Sequence, residues 1–204
     1  MTLKEVLVIT ACLFLLGIIL LPGLAKARDK SRRADCQCRL KQIGLAFRTW
    51  EGDFTNLYPM SISTNNGGSK EYLAGSNLYR HFLVMSNEIN NPTILNCPSD
   101  DRRPAKDWDT LRNNNLSYFV GLDADETTPA MLLAGDRNLV TNGAPVTPGL
   151  VIITNYATVT WSEKMHKFCG EVGLADGSVQ QTASASLNIL LQSSGTNPTR
   201  LAVP

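Results

Sequence analysis

The sequence predicts an α+β fold, a long N-terminal α-helix packed on an antiparallel β-sheet head. Three observations predict it. No charged residue occurs between Val6 and Ala25, a run close to the roughly 20 apolar residues that cross a bilayer as a helix. Beyond that run the helical pattern continues, now amphipathic. After about residue 115 the chain becomes a series of short β-branched and aromatic runs separated by Gly, Pro, Asn and Asp. The expected division is a helix over 1–51, apolar over 1–25 and amphipathic over 26–51, followed by an α+β head over 52–204.

From Lys26 to Trp50 there is no proline, and the only glycine is Gly44. At about 100° per residue, Cys36, Leu40, Ile43, Phe47 and Trp50 fall on one stripe, while Arg32, Arg39 and Lys41 lie mostly off it. A rise of 1.5 Å per residue makes the whole helix about 75 Å long. Eight basic residues lie between Lys26 and Arg48 against two acids, Asp29 and Asp35. Two residues of the apolar run carry alternatives. Glu5 either meets a cation, since an unpartnered carboxylate is expensive among apolar helices, or marks the water interface beside Lys4. Pro22 removes a backbone donor at about 3 kcal/mol in a helix interior, so it is either a functional weak point or a tolerated kink near the far interface.

Gly52 and Pro59 end the long helix in EGDFTNLYPM, and SISTNNGGS (Ser61 to Ser69) reads as a loop. A second helix is predicted from about Ser76 to Ile89, where Leu78, Phe82, Met85 and Ile89 recur at helical spacing. Strands are predicted over Leu116 to Leu122, Ala130 to Asp136, Gly149 to Asn155 and Ala157 to Trp161. Asp176-Gly177, between Glu171 to Ala175 and Ser178 to Thr182, is a two-residue hairpin signal. A last helix from about Ser184 to Gln192 presents Leu187, Leu190 and Leu191.

Thr2, Leu3, Glu5, the apolar run, Pro22 and the basic AKARDKSRR segment resemble the mature N-terminus of a type IV pilin or type II secretion pseudopilin. CQCRLKQIGLAF, NCPSDDRR, GLADGSVQQ and TRLAVP resemble segments of bacterial prepilin-like proteins that carry this N-terminus on a small β-rich head, in a lollipop shape. The resemblance implies that a prepilin peptidase removes a basic leader and methylates the new amine, here that of Met1. It implies that the pilus assembly machinery then polymerises identical subunits through their N-terminal helices. The precursor would lie in the bacterial inner membrane and the product at the cell surface. Glu5 falls on the family's acidic position and would pair with Met1 of a neighbouring subunit. Lys4 stands where the family has an apolar residue and would compete for that pair or add a second. Gly17, Pro22 and Gly23 lie where the family's helix unwinds in the fibre. Met1 replaces the usual phenylalanine, and because Glu5 is already in mature register the sequence reads as the mature form.

Basic residues immediately past a span would, by the positive-inside rule, hold the head in the cytoplasm. In the family the cleaved leader carries the orienting charges, so the topology is inherited from the resemblance. The basic band itself faces anionic lipid headgroups or nucleic acid, or else is a solvated face with partners on neighbouring subunits. With a formal net charge of +1, nucleic acid is no obligatory partner. Of five cysteines, Cys12 lies in the apolar run, leaving Cys36, Cys38, Cys97 and Cys169, an even number that suits an oxidising compartment. Cys36 shares the apolar stripe, whereas Cys38 is rotated from it by about 200°, so Cys36 is the expected partner of Cys97.

Catalytic patterns are scarce. His81 and His166 sit in no metal or triad motif and are expected to pack or to lie on the surface, and there is no phosphate loop or nucleophile elbow. No cofactor is required. In GLDADE, Asp123, Asp125 and Glu126 form either a calcium loop or a solvated acidic loop. Asn115-Leu116-Ser117 is a sequon by pattern. The expected role is a filament subunit, with a type II secretion pseudopilin or a membrane-tethered binding module that never polymerises as the alternatives, and an enzyme has no residues in its favour.

Overall fold

The computed structural model describes residues 2–54, 56–72, 77–154 and 157–204. Helix α1 (Leu3–Asp53, 51 residues) is continuous, and its two halves have different surroundings. In the apolar half the most hydropathic 18-residue window is wholly uncovered, and Leu7, Phe14 and Leu21 are exposed. In the other half Cys36, Leu40, Ile43, Phe47 and Trp50 are each at most 1% exposed, which is the stripe that helical periodicity places on one face. Packing of such a face, more than propensity, stabilises a helix in a folded protein. The helix stops at Phe54, whose N–H donates to the Trp50 and Glu51 carbonyls and whose ring stacks on Trp50 at 4.3 Å.

Among the described residues nine strands follow: β1 (Tyr118–Gly121), β2 (Leu132–Asp136), β3 (Leu139–Thr141), β4 (Ala144–Pro145), β5 (Gly149–Ile153), β6 (Val159–Trp161), β7 (Cys169–Leu174), β8 (Val179–Ala183) and β9 (Thr199–Val203). Six form an antiparallel sheet in the order β5-β9-β1-β2-β7-β8, and β4-β3-β6 form a smaller sheet. Tyr118 and Val120 belong to the core shared with α1, while Phe119 between them joins Trp161, Val172, Leu187 and Leu191 in a second core on the opposite face. A short helix, α2 (Arg80–Leu83), packs into the first core through Phe82, and α3 (Ser184–Ser193) with the small sheet closes the second. Strands covered on both faces lose polar alternation, which explains the continuous apolar runs YFVG and LLAGD. Trp161 lies so close to β7 that a Cβ at Gly170 would sit 2.6 Å from its ring.

The structure departs from the expectations in three places. The second helix is α-helical only over Arg80–Leu83, and Ser76 lies outside the described residues. Leu78, Phe82, Met85 and Ile89 are all buried as their spacing requires, but beyond Leu83 the chain advances by turns with i−3 bonds such as Met85 N–H to the Phe82 carbonyl. Ser86 and Asn87 are residue types that favour turns over helix. The small sheet was not expected either, although its hairpin carries a signal: Asn142 and Gly143 both have positive φ, 52° and 80°, as a two-residue turn demands. Finally, within TRLAVP, Thr199–Val203 pairs with both β5 and β1. The predicted strands are shorter than expected, with Val159–Trp161 in place of Ala157 to Trp161, and Asn155 lies outside the described residues. Asp176-Gly177 makes the β7–β8 turn, with Gly177 at φ 82°.

Candidate functional site

Two sites follow from the division of α1, one at its free end and one where it joins the head. At the free end Thr2 caps the helix. The Glu5 N–H donates to Thr2 Oγ1 at 3.4 Å, and the Thr2 N–H donates to Glu5 Oε2 at 3.0 Å, a reciprocal capping box. In the single chain Glu5 therefore satisfies its own helix terminus, and among the described residues no ion pair joins it to Lys4. Met1, the expected partner and methylation site, lies outside the described residues. Pro22 sits within the unbroken helix, where it withholds the N–H that would bond four residues back. A Cβ at Gly17 or Gly23 would meet nothing within 4 Å. Among the described residues nothing requires glycine at either position.

At the junction Cys36 and Cys97 form a disulfide, with their Cα atoms 5.3 Å apart. Cys38 is exposed, as is Cys12, and both are free thiols along with the half-buried Cys169. Arg39 ties the same helical turn to the segment that carries Cys97, donating to the carbonyls of Thr93 at 3.0 Å and Asn96 at 2.8 Å while pairing with Asp35. Residues of NCPSDDRR each hold a part of this corner. Asn96 donates to the Arg102 carbonyl, Asp100 pairs with Arg137 at 2.6 Å, and Arg102 donates to the carbonyls of Asn113, Leu116 and Pro204. Burial would raise the Asp100 carboxyl, but Arg137 overrides it and holds the group well below the usual range. One turn of helix is thus fastened by a covalent bond, an arginine clamp and a motif that also anchors the C-terminus.

Beside the disulfide lies a buried polar cluster that sequence reasoning missed. Asp136, His166 and Glu171 are each at most 1% exposed. His166 Nε2 lies 3.4 Å from Cys97 Sγ and 3.4 Å from Asp136 Oδ2, which also accepts the Glu171 N–H at 2.7 Å. Glu171 accepts from Gln37 Nε2 at 2.9 Å, and Arg33 donates to the His166 carbonyl at 2.9 Å. Burial pushes both carboxyls up, Asp136 well above its ordinary range, and pushes His166 down to about 4 with Arg33 adding to the effect. Burial thus disfavours the charged form of both Asp136 and His166. The arrangement is no nucleophile triad, since the Cys97 sulfur is committed to the disulfide and both contacts fall on the same ring nitrogen. Asp136 closes LLAGD and Glu171 opens EVGL, and acids at the ends of apolar runs look solvent-facing. His81 is likewise a packing residue, buried between Ser69 Oγ and the Tyr72 carbonyl, each at 2.8 Å, and burial lowers it to about 4.

The three carboxylates considered for calcium do not converge. Asp123 is engaged by the Arg200 backbone and guanidinium, Asp125 by Thr127, and Glu126 faces Arg48 at 3.6 Å. Among the described residues, three potential ligand atoms come within 4.8 Å of one another at Cys36, Cys97 and His166, and there the disulfide has used both sulfurs. The sequon residue Asn115 donates to the Arg103 carbonyl and accepts from the Arg112 N–H.

A family model described as "Protein of unknown function (DUF1559)" matches residues 25–75, the part of the chain that holds the amphipathic half of α1 and the first turns of the head. That family is one of bacterial pilin-like proteins. No curated protein and no solved structure matches the chain.

Proposed function

We propose that this chain is the subunit of a pilin-like filament, inserted in the bacterial inner membrane as a precursor and assembled at the cell surface with copies of itself. The observation that carries the reading is the uncovered apolar half of α1, where Leu7, Phe14 and Leu21 are exposed and, among the described residues, uncovered. Lipid covers such a helix first, and neighbouring helices cover it in a fibre. On assembly the Glu5 carboxylate exchanges its own Thr2 cap for the N-terminal amine of Met1 on a neighbour, so polar pairing sets axial register while the side chains of Val6 to Leu21 supply the strength. Lys4 adds a second cation beside that pair. Gly17, Pro22 and Gly23 let the helix unwind as it leaves lipid, which accounts for small and donor-free residues where nothing in the chain crowds them. Prepilin peptidase and the pilus assembly machinery are the partners this reading requires, and a type II secretion pseudopilin makes the same use of the helix. The test is Glu5→Ala in cells that make the fibres. The expected result is loss of sheared surface fibres while the chain remains in the membrane with its disulfide formed. Normal fibre yield from Glu5→Ala would show that the acid only caps its helix.

A further inference from the structure

The head also carries basic residues beside the first turns of the amphipathic half of α1, and two independent features arrange them. The first is a cleft of about 180 Å³ lined by Asp29, Arg32 and Arg33 from α1 and by Met165, His166 and Lys167 from the loop before β7. The second is the conformation of that loop. Met165, Lys167 and Phe168 all have positive φ, at 65°, 53° and 62°, a region that side-chain-bearing residues rarely adopt. The surroundings enforce it. His166 is buried at 1% exposure beside the disulfide, Arg33 holds its carbonyl, and the Phe168 and Lys167 N–H groups donate to the Ser162 and Glu163 carbonyls. With His166 turned inward, its neighbours are turned out: Phe168 is 60% exposed, Lys164 is exposed, and Lys167 reaches Asp29 at 2.8 Å.

The contact with Asp29 fixes the height of the loop along α1. Asp29 is four residues past Ala25, where the charge-free run ends, or about 6 Å along the axis, and Arg33 is about 12 Å along it. The headgroup layer is about 5 to 8 Å thick on each side of the hydrocarbon. The Lys167 end of the loop, at Asp29, therefore lies at headgroup height when the apolar run spans the bilayer, and the Arg33–His166 contact lies a few ångströms beyond it. Lys26, Arg28, Lys30 and Arg32 of this stretch and Lys164 and Lys167 of the loop are basic, against the acids Asp29 and Glu163. Phe168 is an apolar ring within a basic surface, a combination that suits the lipid–water boundary better than bulk water.

We infer that the cleft and the 164–168 loop form a docking surface for anionic phospholipid headgroups, which seats the head on the membrane before assembly. This rests on the membrane insertion in the function proposed above. A seated head would hold α1 in one rotation and depth, presenting the uncovered helix face to the machinery in a defined pose. Extraction into a fibre would have to release these contacts, and since each basic side chain near an anionic surface is worth about a fivefold change in binding, the lipid composition would tune the release.

The experiment uses the full chain in lipid nanodiscs of phosphatidylcholine alone or with added phosphatidylglycerol, read by amide hydrogen exchange. The expected result is slower exchange at Lys164 to Phe168 in the anionic discs, by about fivefold for each basic side chain engaged, and reversal of that protection by salt. The triple variant Arg32→Gln, Lys164→Gln, Lys167→Gln should exchange alike in both discs. It leaves Arg33 and the disulfide intact, and the wild-type contrast between discs stands even if this variant folds poorly. Equal exchange of the wild-type loop in both discs, with the segment Val6 to Ala25 protected, would overturn the docking surface alone. Rapid exchange throughout Val6 to Ala25 would overturn the membrane reading together with it.

Discussion

The two halves of α1 are one helix by backbone and two different objects by chemistry. Asp35 to Asp53 is held by contacts within the chain: Leu40, Ile43, Phe47 and Trp50 in the core, Cys36 in the disulfide, and Arg39 clamped to the Thr93 and Asn96 carbonyls. The half before Ala25 is equally helical with none of these supports, and its polar device, the capping box of Thr2 and Glu5, satisfies only itself. Among the described residues the distal half takes no part in either core of the head. Substitutions there should be silent in the folded head, and those in the proximal half should not.

The same change made in each half should have unequal effects. Phe47 is 0% exposed and Phe14 is 72% exposed. Phe47→Ala should destabilise the head by about 3 to 5 kcal/mol, the usual result of truncating a buried aromatic. Phe14→Ala should leave the head's denaturation midpoint unchanged in detergent. Equal losses from the two would show that the distal half supports the head after all.

A somewhat smaller effect is expected from the covalent link. Cys36 and Cys97 are separated by 61 positions in sequence, and opening that loop by Cys97→Ser should cost about 2 to 4 kcal/mol. Denaturation under reducing conditions should bring the wild type to the same midpoint, and a midpoint that reductant does not move would mean that the core alone holds α1 to the head.

The mildest effect sharpens the boundary at the end of α1. Glu51 is 3% exposed, and burial, with Glu126 beside it, pushes its carboxyl up to about 7. Between the ordinary value of 4.5 and 7 the folded chain keeps a proton that the unfolded chain has released. The Glu51 contribution to stability is therefore full below about pH 4.5 and declines as pH rises through 7. Glu51→Gln should remove that decline in a series of melting curves. His81 and His166 act in the opposite sense, since both are lowered to about 4 and so weaken the fold as pH falls from 6.5. The difference between Glu51→Gln and wild type isolates the one group, and a pH profile identical in the two would contradict the burial argument.

Much of this division was legible in the residues. The stripe from Cys36 to Trp50 is a pure periodicity signal, and the structure buries each of its members. The choice of Cys36 over Cys38 for the bridge followed from the same rotation. Long-range strand pairing was not legible. Thr199–Val203 lies between β5 and β1 because of partners that precede it by some 50 to 80 positions, and no local pattern encodes that. The buried cluster was hidden for a related reason. Asp136, His166 and Glu171 are far apart in the chain from Gln37 and Arg33, and charged residues at strand ends ordinarily face water. In the acidic loop, composition suggested a shared ligand, whereas Asp123, Asp125 and Glu126 each turn to a different partner.

The most direct test of the two-halved helix uses thiols the chain already has. Cys12 lies in the distal half and Cys38 in the proximal half, and both are exposed and free in the single chain. The full chain in lipid nanodiscs would be treated with a membrane-impermeant maleimide and each site quantified by peptide mass spectrometry, with a detergent-free denatured sample as the reference for full reactivity. The account predicts that Cys38 is modified to completion while Cys12 stays unmodified under lipid. Equal modification of Cys12 and Cys38 would contradict it, because the apolar half would then be open to water.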